Sequence, residues 1–277
     1  MSAQPEIIDI EFSVDVDDLM GPLGYAPSGA AATGTTVSGL VSPAIMELIL
    51  SEKRRCEEVM QGRAIYTLAE IDHRNHGSAS DAATASGVIR FGSIEIEDET
   101  LAGFIEDARS IAVAVCTIGP EVDALIERYF RENDFLRGMV ADVTASRAAE
   151  DAAERLTAII CSKAQACGLS AARRQSPGYG EWDVSGQRAV FALLNPSPIG
   201  VSLNDHCMMT PRKSVSFVIP LIENNVCDAA GKTGDMMPEK MGDMMPHRVP
   251  DFLDKNRPQQ ERPCHACSFK NCSYRRK

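Results

Sequence analysis

Residues 134–166 constrain the fold most. They read as one long helix carrying Gly138, Ala141, Ala145, Ala148, Ala149 and Ala152. Small side chains at that density let another backbone, or a flat ligand, approach closely. A tightly packed central helix is the simpler of the two readings. Residues 111–116 form a β-branched apolar run typical of a strand buried on both faces. That run ends at Thr117-Ile-Gly-Pro120, where proline can open the next helix.

The remaining periodicities complete an α+β pattern. Ile8, Ile10, Phe12, Val14 and Val16 alternate as a strand leading into Asp17-Asp18 and a short helix. Residues 28–39 are Gly, Ala, Thr and Ser without periodicity and read as a flexible loop. Ser42-Pro43 then opens a helix to about Met60, with Ser42 as N-cap and proline in the first turn. Residues 64–71 and 88–96 are strand candidates, separated by a polar loop around His73-Arg-Asn-His76. Residues 184–194 read as a helix stopped by Asn195-Pro-Ser-Pro198, and 201–203 and 214–221 as strands. This order predicts a twisted antiparallel sheet flanked by helices.

Composition narrows the function classes. A hydrophobic share of 44% and a charged share of 24% describe an ordinary globular chain. A net charge of −11 argues against a nucleic-acid surface. No apolar run is long enough for a membrane helix, and the N-terminus lacks a basic start and an apolar core, so a cytoplasmic location is expected.

The nine cysteines are an odd number without a secretory signal, which disfavours a disulfide framework. Cys56, Cys116, Cys161 and Cys167 sit in apolar or helical context and read as small buried hydrophobes.

The texture changes after Asn225. Gly234-Asp-Met-Met-Pro238 recurs as Gly242-Asp-Met-Met-Pro246 in a stretch rich in Pro, Met and charge. It reads as a mobile linker, or as a Met surface gripping a hydrophobic partner. A flexible Cys-rich tail follows, in which Cys264, Cys267 and Cys272 have the spacing of metal thiolates. Iron–sulfur or zinc would fit. His265, Cys227 or Cys207 could supply a fourth ligand, and basic neighbours would stabilise the thiolates. The expected organisation is residues 1–94 as an N-terminal α/β part, 95–225 as a ligand-binding core, 226–262 as linker and 263–277 as the tail.

Two motifs carry the chemistry. Arg174-Gln-Ser-Pro-Gly-Tyr179 sets a fixed cation, a Pro-Gly bend and an aromatic ring close together. Arg can fork onto a carboxylate, Gly admits close backbone approach, and Tyr offers a stacking face. Cys207-Met-Met-Thr-Pro-Arg-Lys-Ser-Val-Ser216 follows some thirty residues later. With Ala114-Val-Cys-Thr-Ile-Gly-Pro-Glu-Val122 and the helix through Glu150, these resemble the S-adenosylmethionine-binding activation domain of cobalamin-dependent methionine synthase. The resemblance covers roughly residues 95 to 222, as a free-standing copy without homocysteine, folate or cobalamin modules.

That resemblance implies S-adenosylmethionine as ligand. Arg174 would take its carboxylate, the backbone at Ser176 and Gly178 would border adenine and ribose, and Tyr179 would close the pocket. Glu150 would face the amino group and sulfonium, although helical spacing alone offers it an ion pair with Arg147. Lys213 would lie near a corrinoid side chain. The implied function is reductive reactivation of a corrinoid (vitamin B12) methyltransferase in trans, presenting a methyl group to cob(I)alamin on the partner. The electron would come from a donor protein or from a C-terminal iron–sulfur cluster. The alternatives are a non-catalytic subunit of a split corrinoid methyltransferase and a zinc-stabilised interaction protein.

Overall fold

A computed structural model of the chain describes residues 4–25, 41–71, 88–91 and 93–223. Residues 1–223 form one compact unit. Its centre is an antiparallel five-stranded sheet in the order β1 (Glu6–Asp9), β2 (Arg63–Glu70), β5 (Ser110–Thr117), β9 (Ser214–Glu223) and β6 (Leu169–Ala171). Strand β5 is buried along its whole length because layers cover both faces of the sheet. This explains its unbroken apolar sequence.

Alternation along β5 divides the core in two. Ala112, Ala114 and Cys116 face helices α2 (Pro43–Val59), α4 (Glu121–Arg131) and α5 (Phe135–Ala166). Ile111, Val113 and Val115 face the second layer, built from the hairpin β3 (Val88–Phe91)–β4 (Ile94–Glu97), α3 (Glu99–Phe104) and α6 (Gln187–Leu193). The small side chains of β5 thus lie on the side where α5 presents buried Ala141, Ala145, Ala148 and Ala152. Small against small lets helix and sheet approach closely, so α5 is the packed central helix its composition suggests. Leu156 and Ile160 fill the volume further along it.

Local chemistry sets the boundaries. The Ser42 hydroxyl accepts from the Ile45 amide at 3.4 Å with Pro43 in the first turn. The Asp134 carboxylate caps α5 through the Arg137 amide at 3.4 Å. Asp15 caps the short helix α1 (Val16–Met20) through the Asp17 amide.

Four sequence expectations need correction. Residues 88–96 form a hairpin rather than one strand, with Phe91 paired to Ile94. The helix expected over 184–194 starts as a 3-10 turn, Val184–Gly186, capped by Asp183, before α6 takes over. The strand expected over 201–203 is Ser202–Leu203, which pairs with β8 (Met209–Thr210). Cys56 and Cys116 are buried, but Cys161 is half-buried and Cys167, capping the C-terminus of α5, is exposed. The loops expected at 28–39 and around His73, the Met-rich repeat and the Cys264/Cys267/Cys272 tail lie outside the described residues.

Candidate functional site

The segment leaving β6 carries the first motif. It stays hydrogen-bonded to β9: the Ala172 amide donates to the Pro220 carbonyl at 2.8 Å, and Gln175 and Val218 exchange bonds of 2.9 and 2.8 Å. This ladder aims Arg174 at the α5 side of the sheet. Its guanidinium lies 5.3 Å from the centre of the Phe217 ring. There it meets Glu150, on the face of α5 turned towards it, with Arg174 Nη2 3.2 Å from Glu150 Oε2.

Both side chains are partly accessible, 25% for Arg174 and 33% for Glu150, so the pair itself adds under about 1 kcal/mol. Arg174 Nη1 is buried and has no hydrogen-bond partner among the described residues. A guanidinium held by one nitrogen retains donors for a second anion.

Beyond Gln175 the chain turns sharply. Gly178 adopts φ +86°, a conformation other residues rarely take, and its amide donates to the Trp182 carbonyl at 2.8 Å. The Tyr179 amide donates to the Ser176 carbonyl at 3.2 Å, which leaves the Tyr179 ring 69% exposed on the tip.

Trp182 anchors the turn below. It is buried edge-on against Phe104 at 5.7 Å, and its Nε1 donates to Asp98 Oδ2 at 2.9 Å. The other Asp98 oxygen caps α3 through the Leu101 amide. Gly186 lies under the indole, where an added Cβ would stand 2.2 Å from Nε1. Sequence reasoning missed this anchor. The available signal was the chain's one tryptophan, three residues after the motif tyrosine.

The surrounding charges are organised by α5. Arg147 does not pair with Glu150; its Nη2 bonds Asp18 of α1 at 3.2 Å, and its Nε is buried without a partner among the described residues. Asp151 accepts from the Ser13 amide and from Arg155 Nε, both at 2.7 Å. Glu154, exposed at the surface, still has its carboxyl pKa raised by desolvation against the pull of Arg147 and Arg174. Lys213 is held by Asp142 at 2.7 Å and Ser146 at 2.9 Å on α5. The structure therefore brings Arg174 and Glu150 together and sets Ser176, Gly178 and Tyr179 in the adjoining turn. Lys213 is engaged on the protein rather than presented to a partner.

No group of three or more His, Cys, Asp or Glu among the described residues could hold a metal. Cys207, weighed above as a fourth thiolate, is buried in a turn at φ +58°. The Cys264, Cys267 and Cys272 set lies outside the described residues.

Residues 95–224, which hold Glu150, Arg174, Ser176, Gly178 and Tyr179, match the family described as vitamin B12 dependent methionine synthase, activation domain. The activation-domain fold is seen again in a solved structure, "Crystal Structure of the MetH Reactivation Domain bound to AdoHcy". The two share 15% identity with a TM-score of 0.56, and the match covers 78% of each chain. The structural likeness covers more of the chain than the family-matched segment does. No curated protein matches the chain. Among the described residues no helix is long and apolar enough to cross a membrane.

Proposed function

We propose that the site around Arg174 and Glu150 binds S-adenosylmethionine and that the chain reactivates a corrinoid methyltransferase, such as methionine synthase, carried by a partner protein. The observation that carries this reading is the partial pairing of Arg174 within a family-matched activation domain. Its Nη2 is 3.2 Å from Glu150, while its Nη1 is buried without a partner among the described residues. An adjacent cation and anion complement the carboxylate and ammonium of an amino-acid ligand. The similar solved domain is bound to AdoHcy, the species left when S-adenosylmethionine gives up its methyl group.

In this reading Arg174 receives the ligand carboxylate and Glu150 keeps its ammonium. The tight turn at Gly178 brings backbone close to the nucleoside, and the exposed Tyr179 ring closes over it. Bound S-adenosylmethionine supplies the methyl group that reduced cobalt on the partner accepts with its own electron pair. The chain contributes binding and orientation, and no nucleophile of its own is needed. Cys264, Cys267 and Cys272 would hold an iron–sulfur cluster as electron relay, or zinc as a structural ion.

Calorimetric titration of S-adenosylmethionine into the anaerobically purified full chain, beside Arg174→Ala, tests the ligand. Binding abolished by the substitution supports the reading. A folded wild-type chain that does not bind moves it to a non-catalytic subunit, for which corrinoid-protein binding is the next assay.

A further inference from the structure

The turn that carries Ser176, Gly178 and Tyr179 is fixed at two ends, and only the first lies within the Arg174–Tyr179 motif. At the near end Gln175 is tied to Val218 of β9 by two backbone bonds. At the far end the chain closes on itself. The Gly178 amide donates to the Trp182 carbonyl at 2.8 Å, and the Trp182 amide donates to the Tyr179 carbonyl at 3.3 Å. The path of the turn therefore follows the place where Trp182 is held.

Trp182 is held by its side chain. The indole is buried, packs edge-on against Phe104 and donates from Nε1 to Asp98 Oδ2 at 2.9 Å. A buried indole N–H needs an acceptor, and an ionised carboxylate is a strong one. Asp98 is itself fixed, because its Oδ1 accepts from the Leu101 amide at 2.9 Å at the start of α3. One carboxylate thus ties α3 to a turn 84 residues further along the chain.

We infer that Asp98 is a positioning residue for the nucleoside half of the ligand, an inference that rests on the ligand assignment above and extends it to a residue outside the sequence motifs. Asp98 touches no ligand atom. It acts through Trp182, which sets where the Gly178 backbone and the exposed Tyr179 ring stand. With the indole bond made, the turn is ordered before the ligand arrives. Without it the ligand must order the turn on binding, and affinity falls by that cost. Arg174 and Glu150, held by the β9 ladder and α5, keep their own geometry in either case.

The test is calorimetric titration of S-adenosylmethionine into the full chain, wild type and with Asp98→Asn, Trp182→Phe or both. Asparagine offers one acceptor oxygen to two donors, and phenylalanine keeps a ring without the N–H. Each single variant should lose roughly three- to tenfold in affinity. The double variant should lose no more than the larger single loss, because both substitutions remove the same bond. Tyr129→Phe, which removes a hydrogen bond in the other layer, should bind as wild type and so separates positioning from a general loss of stability. Emission from Trp182, the chain's one tryptophan, gives a second readout. Ligand-free D98N should emit at longer wavelength than wild type and return towards it as S-adenosylmethionine saturates the site. D98N and its emission decide the matter alone if Trp182→Phe does not fold. Variants that melt as folded proteins and bind with wild-type affinity overturn the role of Asp98 and leave the ligand assignment standing. Single losses that add in the double variant overturn action through the shared bond. Wild type that does not bind overturns the ligand assignment and this inference together.

Discussion

Gly186→Ala tests how the site-bearing turn is held. Gly186 has φ −57° and ψ −15°, which alanine adopts without strain, so the effect is one of packing. The new methyl carbon would lie 2.2, 2.5 and 2.9 Å from Nε1, Cε2 and Cδ1 of Trp182. These atoms belong to a rigid ring that is buried against Phe104 and tied to Asp98, so it cannot turn aside.

Reaching the 3.4 Å of ordinary contact requires the ring or the helix start to move by about 1.2 Å. Overpacking of this kind costs about 1–3 kcal/mol, and losing the indole bond to a carboxylate about 1.5–3 kcal/mol more. The better helix propensity of alanine returns about 1 kcal/mol. The net loss is about 1.5–5 kcal/mol, a fall in melting temperature of about 3–20 °C for a unit of this size.

Trp182 is the chain's one tryptophan, so its emission reports on the site without labelling. G186A should melt earlier and emit at longer wavelength. In a Trp182→Leu background the same substitution should no longer destabilise, because its clash partner is gone and only the helix-propensity gain of about 1 kcal/mol remains. A single G186A variant with unchanged emission and a melting point within about 2 °C of wild type would refute the argument.

Other outcomes follow from the same geometry. Asp98→Ala removes the acceptor of Trp182 and the cap of α3 together; it should lose about 2–4 kcal/mol in urea unfolding, whereas Asp98→Asn, which can still cap, should lose less. Tyr129→Phe removes a hydroxyl that donates to the buried Glu52, which among the described residues then keeps only Arg137, and should lower stability by about 1–3 kcal/mol. Burial first, and then Glu52, push the Tyr129 pKa up to about 12 from 10.0. The folded state thus holds its proton longer than the unfolded one, so Tyr129 adds stability below pH 10 that is lost as the pH rises towards 12. Y129F should remove that part of the alkaline slope in denaturation measured from pH 9 to 12. Anaerobic metal analysis and visible absorption of the full chain, against a Cys264/Cys267/Cys272→Ser variant, should show bound iron and sulfide lost on substitution; stoichiometric zinc without visible absorption rules out the electron relay.

Much of the architecture was legible because single residues enforce it locally. Ser42 with Pro43, Asp134, and Pro120 each mark a helix start, and the apolar run in β5 announces burial on both faces. The reversal between Phe91 and Ile94 was not legible, since apolar residues on both arms give the pattern of one continuous strand. Strand β6 is three residues long and only partly buried, too short for any periodicity to register. In the site, Arg174 was legible from its motif. The partner of Glu150 was not: a residue three positions away on the same helix competes in sequence with one 24 positions away that only the sheet brings close. Trp182 and Asp98, 84 residues apart, meet for the same reason.

The two backbone bonds between Gln175 and Val218 have a consequence beyond aiming Arg174. A sheet margin left bare is a template on which a second polypeptide can add a strand. Strand β6 covers β9 only from Leu221 to Glu223, and the motif segment continues that cover to Val218. The residues that recognise the ligand therefore also shield the sheet from self-association. A substitution that loosens the motif should reveal itself as turbidity on storage before any assay of ligand affinity is run.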